Sequence, residues 1–396
     1  MTPRVMAGAL LAAALLRGSP AAGQPERATD RGGDAMLVYF GTYTRGPSKG
    51  IYVSRFDAAT GVLGEPALAA ESVNPSFLAV HPTGRYLYAV NEVDSLEGKP
   101  GGAASAFAID GRGALRLLNQ ASTRGTGPCY VSLDRAGKHV LVANYGGGSV
   151  AVLPVSGDGR LAEASAFVQH ETLEAGAPKP KRPHAHSIDI EPSGRFALVA
   201  DLGLDRVYVY RLTPQGALQP GAPPFASLDP GAGPRHVAIH PSGRHVYVLN
   251  EKQMTVDVFQ FDAGEGTLTH RQKLSSLPEG VAVAQGFSGA EILVHPSGRW
   301  LYASNRGHDT IAAFAIDPEQ GTIRLVAHAA MDGQIPRGFG IDPSGRWLIA
   351  GNQRSDTVSV FRIDAASGKL ASTGRSVAVA APVSVVFVRA PDAGAK

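Results

Sequence analysis

Cysteine is almost absent from this chain of 396 residues. Cys129 is the single cysteine, so no disulfide can form within the chain. Neither a C-x-x-C motif nor a Cys/His spacing suited to zinc occurs. We therefore expect no structural metal and no other cofactor, and we expect packing to stabilise the fold.

Charged residues are also scarce. Asp, Glu, Lys and Arg make up 18% of the chain, against about 25% in an average domain. The formal net charge is only +3, and the basic residues stand singly in turns. Because this pattern provides no basic stripe, we exclude nucleic acid as a partner. We also predict no phosphate-binding loop at Gly146–Gly148, since no lysine follows with the required spacing, and no covalent serine mechanism.

Long apolar runs are missing except at the N-terminus. Arg4 is followed by an apolar run over residues 5–16 and then by small residues, which is typical of a secretory signal peptide. The run is short for a membrane span, and an uncleaved anchor or a disordered start is the alternative. We predict a signal peptide over residues 1–23, a linker over 24–35, one domain over 36–390 and a tail over 391–396. The protein would then be periplasmic or secreted without stable membrane insertion, or cytoplasmic if this segment is not functional.

Glycine, in contrast, is abundant, with 48 residues. Six copies of an apolar strand, a Pro/Asp-x-Gly-Arg/Lys turn and a second apolar strand follow one another, as in "VAIHPSGRHVYVLNE". Their turn glycines are Gly84, Gly137, Gly194, Gly243, Gly298 and Gly345. A period near fifty residues with several short strands per unit predicts an all-β fold, a β-propeller with four-stranded antiparallel blades.

The two ends of the chain together supply a seventh blade. Residues 38–68 match the second, third and outer strands of the other units, but no first strand precedes them. The missing innermost strand is found in "APVSVVFV" at residues 381–388. Pairing these ends closes the ring and removes an open sheet edge, so we predict seven blades.

Chemically distinctive residues collect at one rim of this predicted ring, the upper face, where first strands begin and second strands end. The candidates before first strands are His184, His186, Arg235 and Arg337, and those after second strands are Glu92, Asn144, Tyr145, Asp201, Glu251 and Arg306. Two buried arginines require a carboxylate or a ligand between them. We therefore predict a pocket at the mouth of the central channel that binds an anion and contains an acid and a base.

Several of these segments carry family motifs. "GTYT", "VANYGGGSV", "PHAHS", "GPRHVAIHP" and "AEILVHPSGRWLYASNRGHDTI" follow one another as they do in lactonase-type seven-bladed propellers, and the chain resembles that family from about residue 36 to 388. The family includes propeller 6-phosphogluconolactonases and fungal carboxy-muconate cyclases. The resemblance implies a catalytic group of His186, Arg235, Glu251 and Arg306. Tyr130 stands where family members often carry a histidine.

The function that the resemblance implies is hydrolysis of a sugar-derived lactone. Glu251 would be the general base for water, Arg235 and Arg306 would bind the carbonyl oxygen or a substrate anion, and His186 would protonate the leaving oxygen, although Glu251 and His186 could exchange roles. The other rim residues would bind substrate. We expect a monomer acting on a small lactone or sugar acid. Two alternatives remain: a non-catalytic secreted propeller that binds a sugar, peptide or cell-wall ligand, and a muconate-type cyclase.

Overall fold

The structure, a computed structural model, describes residues 1–3, 35–96, 98–173 and 180–389. The strands in these ranges are β1 (Ala35–Thr42), β2 (Gly50–Asp57), β3 (Val62–Leu63), β4 (Ala67–Glu71), β5 (Leu78–Val80), β6 (Tyr86–Asn91), β7 (Ser95–Leu96), β8 (Lys99–Pro100), β9 (Ala103–Ile109), β10 (Leu115–Ser122), β11 (Pro128–Leu133), β12 (His139–Asn144), β13 (Ser149–Pro154), β14 (Ala166–Gln169), β15 (Ala185–Ile190), β16 (Phe196–Asp201), β17 (Arg206–Leu212), β18 (Leu218–Ser227), β19 (Pro234–Ile239), β20 (His245–Asn250), β21 (Thr255–Asp262), β22 (Thr267–Ser275), β23 (Ser288–Val294), β24 (Trp300–Arg306), β25 (Thr310–Ile316), β26 (Ile323–Ala330), β27 (Pro336–Ile341), β28 (Trp347–Asn352), β29 (Thr357–Ile363), β30 (Leu370–Ala378) and β31 (Pro382–Arg389). Within these ranges no helix is long and apolar enough to cross a membrane.

Seven antiparallel sheets form the blades of a propeller. Blades 2 to 7 each have four strands, which run outward from the axis as β5-β6-β9-β10, β11 to β14, β15 to β18, β19 to β22, β23 to β26 and β27 to β30. The seven innermost strands contact one another in turn around the ring. The prediction of an all-β, seven-bladed propeller is confirmed.

Blade 1 closes the ring with strands from both ends of the chain. The C-terminal strand β31 is its innermost strand and pairs antiparallel with β1, so that Met36 lies opposite Arg389 and Phe40 opposite Val385. The outer strand of blade 1, predicted as a single strand, is split into β3 and β4, which both pair with β2. Pro66 lies in the gap and has no N–H group to donate to a sheet.

The blades are fastened to one another by a repeated tyrosine contact. A fully buried tyrosine in the second strand of blades 1, 2, 5 and 6 donates its hydroxyl to the carbonyl of a turn glycine in the next blade. The four bonds are Tyr39 to Gly113 (2.9 Å), Tyr88 to Gly159 (3.0 Å), Tyr247 to Gly321 (3.0 Å) and Tyr302 to Gly368 (2.8 Å). Satisfying each buried hydroxyl in this way contributes about 1 kcal/mol and keeps adjacent blades in register.

The predicted terminal segments lie largely beyond the described residues. Nearly all of the predicted signal peptide and linker, together with the tail over 391–396, belong to the ranges that the structure does not describe. Three long connections between strands cover residues 92–102, 169–183 and 275–289. The first carries the short hairpin β7-β8, and the last is described in full. The connection over residues 169–183 is described except for 174–179.

Candidate active site

Bulges in the innermost strands decide which side chains reach the channel mouth. In blades 3, 4, 5 and 7 the pairing of first and second strands skips one residue of the first strand. The skipped residues are Cys129, His186, Arg235 and Arg337. A comparable shift occurs in blade 6 between Gly289 and Ile292, a span that contains Glu291. A bulge leaves its extra residue unpaired and redirects its side chain, so the first strands present chemically different side chains at the same end of the central channel.

The second strands contribute a complementary set. In blades 2 to 5 and 7 the last residue of the second strand is a buried Asn or Asp, and in blade 6 the equivalent residue is the buried Asn305, one residue before the strand end. The residues that follow these positions, and the equivalent position in blade 1, are Tyr43, Glu92, Tyr145, Leu202, Glu251, Arg306 and Gln353. Five of these seven positions, all but Leu202 and Gln353, contact residues from neighbouring blades at the channel mouth. This explains why the second residues of the "NE", "NY" and "NR" pairs reach the channel mouth.

Glu251 lies between the two predicted arginines. Its Oε2 is 3.0 Å from Nε of Arg235 and 3.0 Å from Nη2 of Arg306. The side chain of Glu251 is 24% exposed, that of Arg306 12% and that of Arg235 only 3%. Arg306 also donates from Nη2 to the carbonyl of Gly289 at 3.0 Å. Both ion pairs use Oε2, so Oε1 is the carboxylate oxygen left for a ligand or a water molecule.

His186 lies on the neighbouring wall in an aromatic cluster. Its ring makes edge contacts with Tyr145 (centroids 5.3 Å apart) and with His236 (5.2 Å). Tyr145 stacks on His184 at 4.7 Å, and Nδ1 of His184 is 3.0 Å from the carbonyl oxygen of Tyr145. On its other side, Nδ1 of His186 lies 3.7 Å from Sγ of Cys129. The wall therefore presents one buried imidazole, His186, and a stacked pair nearer to solvent.

Arg337 forms the opposite wall with residues of blades 1 and 2. Its guanidinium lies over the ring of Tyr43, 5.1 Å from the centroid, and its Nη2 donates to the hydroxyl of Tyr43 at 2.7 Å. That hydroxyl donates in turn to Oε2 of Glu92 at 2.8 Å, which also accepts from Ser76 at 2.6 Å. Within the described ranges, Arg337 makes no direct ion pair with a carboxylate. Its positive charge is therefore the least compensated at the mouth.

Asn144 and Asp201 are not brought to the pocket. Both are completely buried at the ends of their second strands. Asn144 donates to Ser149 Oγ at 3.2 Å, whereas Asp201 accepts from Nδ1 of His170 at 2.6 Å and from the backbone N–H of His184 at 2.9 Å. Their side chains point into the blade because the last paired residue of a strand alternates with the exposed one after it. They support the loops that carry Tyr145 and His184.

An aromatic cluster, which we call the floor of the pocket, extends across the ring. Phe77 from blade 2 stacks on Tyr130 (4.2 Å) and makes an edge contact with His236 from blade 5 (5.6 Å). Tyr130, at the position where members of the family often carry a histidine, donates its hydroxyl to Oδ1 of Asp189 at 3.0 Å. Below this floor lies a cavity of about 430 Å³ that reaches the lower face and whose lining includes Phe77, Tyr130 and Glu291. The floor separates the upper pocket from this lower cavity.

Burial and the clustered arginines determine the charge states of the site. Burial, followed by the charge of Arg235, lowers the pKa of His186 well below its ordinary value, so this imidazole is neutral at neutral pH. Burial, followed by Arg235, lowers the pKa of Arg306 to about 9, which leaves it a cation. Burial raises the pKa of Tyr43, so its hydroxyl remains a donor. At the mouth, three guanidiniums therefore face the carboxylates of Glu251 and Glu92.

Sequence reasoning missed several members of this assembly. Tyr43, Ser76, His236 and Glu291 were not predicted, and the signal for Glu291 was a charged residue inside the apolar first strand "AEILV". The chain also contains one G-x-S-x-G sequence, residues 46–50, which joins β1 to β2. Its Ser48 is buried against Thr42 Oγ1 at 2.6 Å rather than exposed at a strand-to-helix turn. Among the described residues, no group of three or more His, Cys, Asp or Glu side chains could hold a metal ion.

Comparison with known proteins agrees with this architecture. Residues 37–387 match the family model described as "Lactonase, 7-bladed beta-propeller". The chain is 34% identical to the 6-phosphogluconolactonase of Bacillus subtilis, over 89% of this chain and 98% of that protein. The solved structure of a periplasmic gluconolactonase from Pseudomonas aeruginosa shares 36% identity and superposes with a TM-score of 0.83, covering 90% of this chain and 100% of that one. The chain belongs to the lactonase family of seven-bladed β-propellers.

Proposed function

We propose that this protein hydrolyses a lactone at the mouth of its central channel. The observation that carries the proposal is the partly exposed carboxylate of Glu251, which two guanidiniums hold through Oε2 and not through Oε1. Ester hydrolysis requires a positioned base for water and a cation where the oxyanion develops. Glu251 and Arg306 supply these two groups side by side.

The reaction follows from these positions. Glu251 Oε1 takes a proton from water, and the resulting hydroxide oxygen bonds to the carbonyl carbon of the lactone. Arg306 is the more exposed of the two arginines, so it stabilises the oxyanion, while Arg235 lies behind and holds Glu251. When the tetrahedral intermediate collapses, the bond from carbon to ring oxygen breaks, and the alkoxide takes the proton back from Glu251. The product is a hydroxy acid, whose carboxyl group releases one proton at neutral pH.

We propose for His186 a role other than protonating the leaving oxygen as an imidazolium. A neutral imidazole carries no spare proton, so it cannot begin the reaction as an imidazolium acid. It can donate a hydrogen bond from its ring N–H to the leaving oxygen and so stabilise the developing alkoxide. Glu251 therefore serves as both base and acid, and His186 as a neutral donor.

Substrate binding involves the two walls of the pocket. Tyr145 and His184 present stacked rings to one side of a sugar-derived ring, and Glu92 and Arg337 present a carboxylate and a guanidinium to the other. The weakly compensated charge of Arg337 favours a substrate with an anionic group. The names of the relatives include both a 6-phosphogluconolactonase and a gluconolactonase, so phosphorylated and unphosphorylated sugar lactones are the substrates to compare.

A panel of lactones tests the proposal. Proton release in weak buffer would be recorded with 6-phosphogluconolactone, glucono-δ-lactone and a simple aliphatic lactone, with E251Q prepared identically to exclude contaminating lactonases. We expect acceleration over buffer for at least one sugar lactone. No acceleration with any of them would refute the enzyme and favour a binding protein that uses the same face.

The location of the protein limits which lactones it meets. We propose that residues 1–23 direct export and that the mature protein acts as a monomer in the periplasm or outside the cell. Fractionation of expressing cells, with mass determination of the product, tests export and cleavage together. A full-length protein in the cytoplasmic fraction would refute export.

A further inference from the structure

A second group of buried polar side chains lies directly beneath Glu251 and its arginines. His236 is 2% exposed and the side chain of Glu291 is 6% exposed. Nη1 of Arg235 is 3.0 Å from Nε2 of His236, and Nδ1 of His236 is 2.8 Å from Oε1 of Glu291. A continuous chain of polar contacts thus runs from the mouth through the floor to Glu291.

The direction of this chain follows from the chemistry of its first member. A guanidinium only donates hydrogen bonds, so Nε2 of His236 must be the acceptor. The ring proton is then on Nδ1 and is donated to Oε1 of Glu291, which also accepts from the backbone N–H of Ile292 at 3.1 Å. Burial, and then the charges of Arg235, Arg337 and Arg306, lower the pKa of His236 well below its ordinary value. His236 is therefore neutral, with its proton on Nδ1.

The same segment of blade 6 holds Arg235 by a second contact. Arg235 Nη1 also donates to the carbonyl of Ala290, the residue before Glu291 in the irregular part of β23. The guanidinium is thus fixed from below by His236 and Ala290, and its Nε faces Glu251. Removing the support of His236 would let the guanidinium turn, and the carboxylate of Glu251 would lose its position.

Glu291 also lines the cavity below the floor. Among the described residues, the charged and titratable groups that interact with it are Arg235 and His236 from β19, Arg337 from β27, Tyr130 from β11 and Asp189 from β15. Asp134 and Arg135 line the same cavity. Burial raises the pKa of Glu291 to about 8, with Arg235 opposing the change. At neutral pH the carboxyl is therefore mostly protonated, and Oε1 can still accept the bond from His236.

We propose that His236 and Glu291 are positioning residues that fix Arg235 against Glu251, and that loss of the Glu291 proton to the lower cavity lowers activity towards anionic substrates. The proposal rests on the lactonase function proposed above. A negative charge on Glu291 would lie beneath the guanidiniums and reduce the positive potential that an oxyanion or an anionic substrate experiences. Activity towards an anionic lactone should accordingly decline as Glu291 loses its proton.

The first test does not require activity. Nitrogen NMR of the protein with ¹⁵N-labelled histidine, with His236 assigned by the signals missing from H236Q, reports which ring nitrogen carries the proton. We expect the Nδ1–H form of a neutral ring throughout pH 6–8.5. A proton on Nε2, or a ring that titrates in this range, would overturn the proposed contacts of His236 with Arg235 and Glu291, even if no lactone substrate had been found.

The second test compares two replacements of Glu291. E291L removes the acceptor for His236, whereas the amide oxygen of E291Q can still accept. We expect E291L to lower kcat by about 10- to 100-fold through displacement of Arg235, with E291Q restoring much of that loss. For an anionic lactone, kcat/KM of the unmodified protein should fall as pH approaches 8, and the fall should be absent in E291Q.

A matched control is available on the same blade. Glu319 is exposed in the turn between β25 and β26, and E319L should leave kcat and the pH profile unchanged. Equal kcat for E291L and the unmodified protein, or the same fall of kcat/KM in E291Q, would overturn the proposal. Should E291L fail to fold, the pH profile of E291Q and the NMR result still decide it. Absence of lactone hydrolysis by the unmodified protein would refute the proposed function instead.

Discussion

Replacing Glu251 with glutamine removes one charge and one proton acceptor while keeping the shape of the side chain. General-base catalysis typically contributes about 10²- to 10⁴-fold, so we expect kcat to fall at least about 100-fold, equivalent to about 2.7 kcal/mol in the activation barrier. The two guanidiniums that lie 3.0 Å from Oε2 lose their shared counter-charge. They should therefore bind anions more tightly, and KM for an anionic lactone should not rise.

The stability of E251Q separates a catalytic effect from a structural one. Removing one partner of a buried ion pair costs about 3 to 5 kcal/mol, but Glu251 is 24% exposed, so solvent screening should reduce the loss to about 1 to 3 kcal/mol. Proton release would be measured at a temperature where urea denaturation shows both proteins to be folded. E265Q is the matched control, because Glu265 is an exposed glutamate in the β21-β22 turn of the same blade.

Two results would refute this reasoning. One is a kcat for E251Q within threefold of the unmodified protein on a lactone that the latter hydrolyses. The other is an equal loss in E265Q, which would show that the effect does not arise at the channel mouth. A large rise in KM with unchanged kcat would instead make Glu251 a binding residue, and the base would have to be sought elsewhere.

Three further predictions follow from the same contacts. R337M should raise KM for 6-phosphogluconolactone about tenfold or more, because the variant loses the ion pair with the substrate anion, but should leave KM for glucono-δ-lactone within threefold. Steady-state proton release measures both constants, and equal effects on the two lactones would contradict this assignment. D201A should lower the free energy of unfolding, measured in urea, by about 3 to 5 kcal/mol, since the variant leaves His170 and the backbone N–H of His184 without their acceptor. A loss below about 1 kcal/mol would contradict this prediction. Burial raises the pKa of Asp189 to about 7 from its ordinary 3.8, so the folded state keeps a proton that the unfolded state releases between about pH 4 and 7. The free energy of unfolding therefore falls as pH rises through that window, and D189N should become progressively more stable relative to the unmodified protein. A constant difference in stability would show that Asp189 does not titrate as described.

The rim residues could be predicted because the repeat is regular. Glu251 and Arg306 each follow an Asn at or next to the end of a second strand, and every such strand ends at the same face of the ring. Prediction failed for Asn144 and Asp201 because they occupy the last paired position, whose side chain points into the blade. A shift of one residue along a strand moves a side chain to the other face, and sequence alone located these strand ends only approximately.

The buried layer below the rim could not be predicted for a different reason. His236 and Glu291 lie one residue from the aligned rim positions, inside strands with an apolar pattern. Their meeting depends on shifts in pairing in β19 and β23, and a bulge has no reliable pattern of its own in a single sequence. Phe77 and His236 come from nearly opposite blades, and only closure of the ring brings their rings to 5.6 Å.

The sequence by itself determined the number of blades, the pairing of the two chain ends and the face at which polar residues collect. These properties follow from apolar alternation and turn glycines, which are local and recur in every unit. The tertiary structure alone decided that Glu251 lies between two arginines, that Arg337 bonds to the hydroxyl of Tyr43 and that His236 supports Arg235. Those relations join residues from different blades through bulged strands, so they depend on the packing of the closed ring.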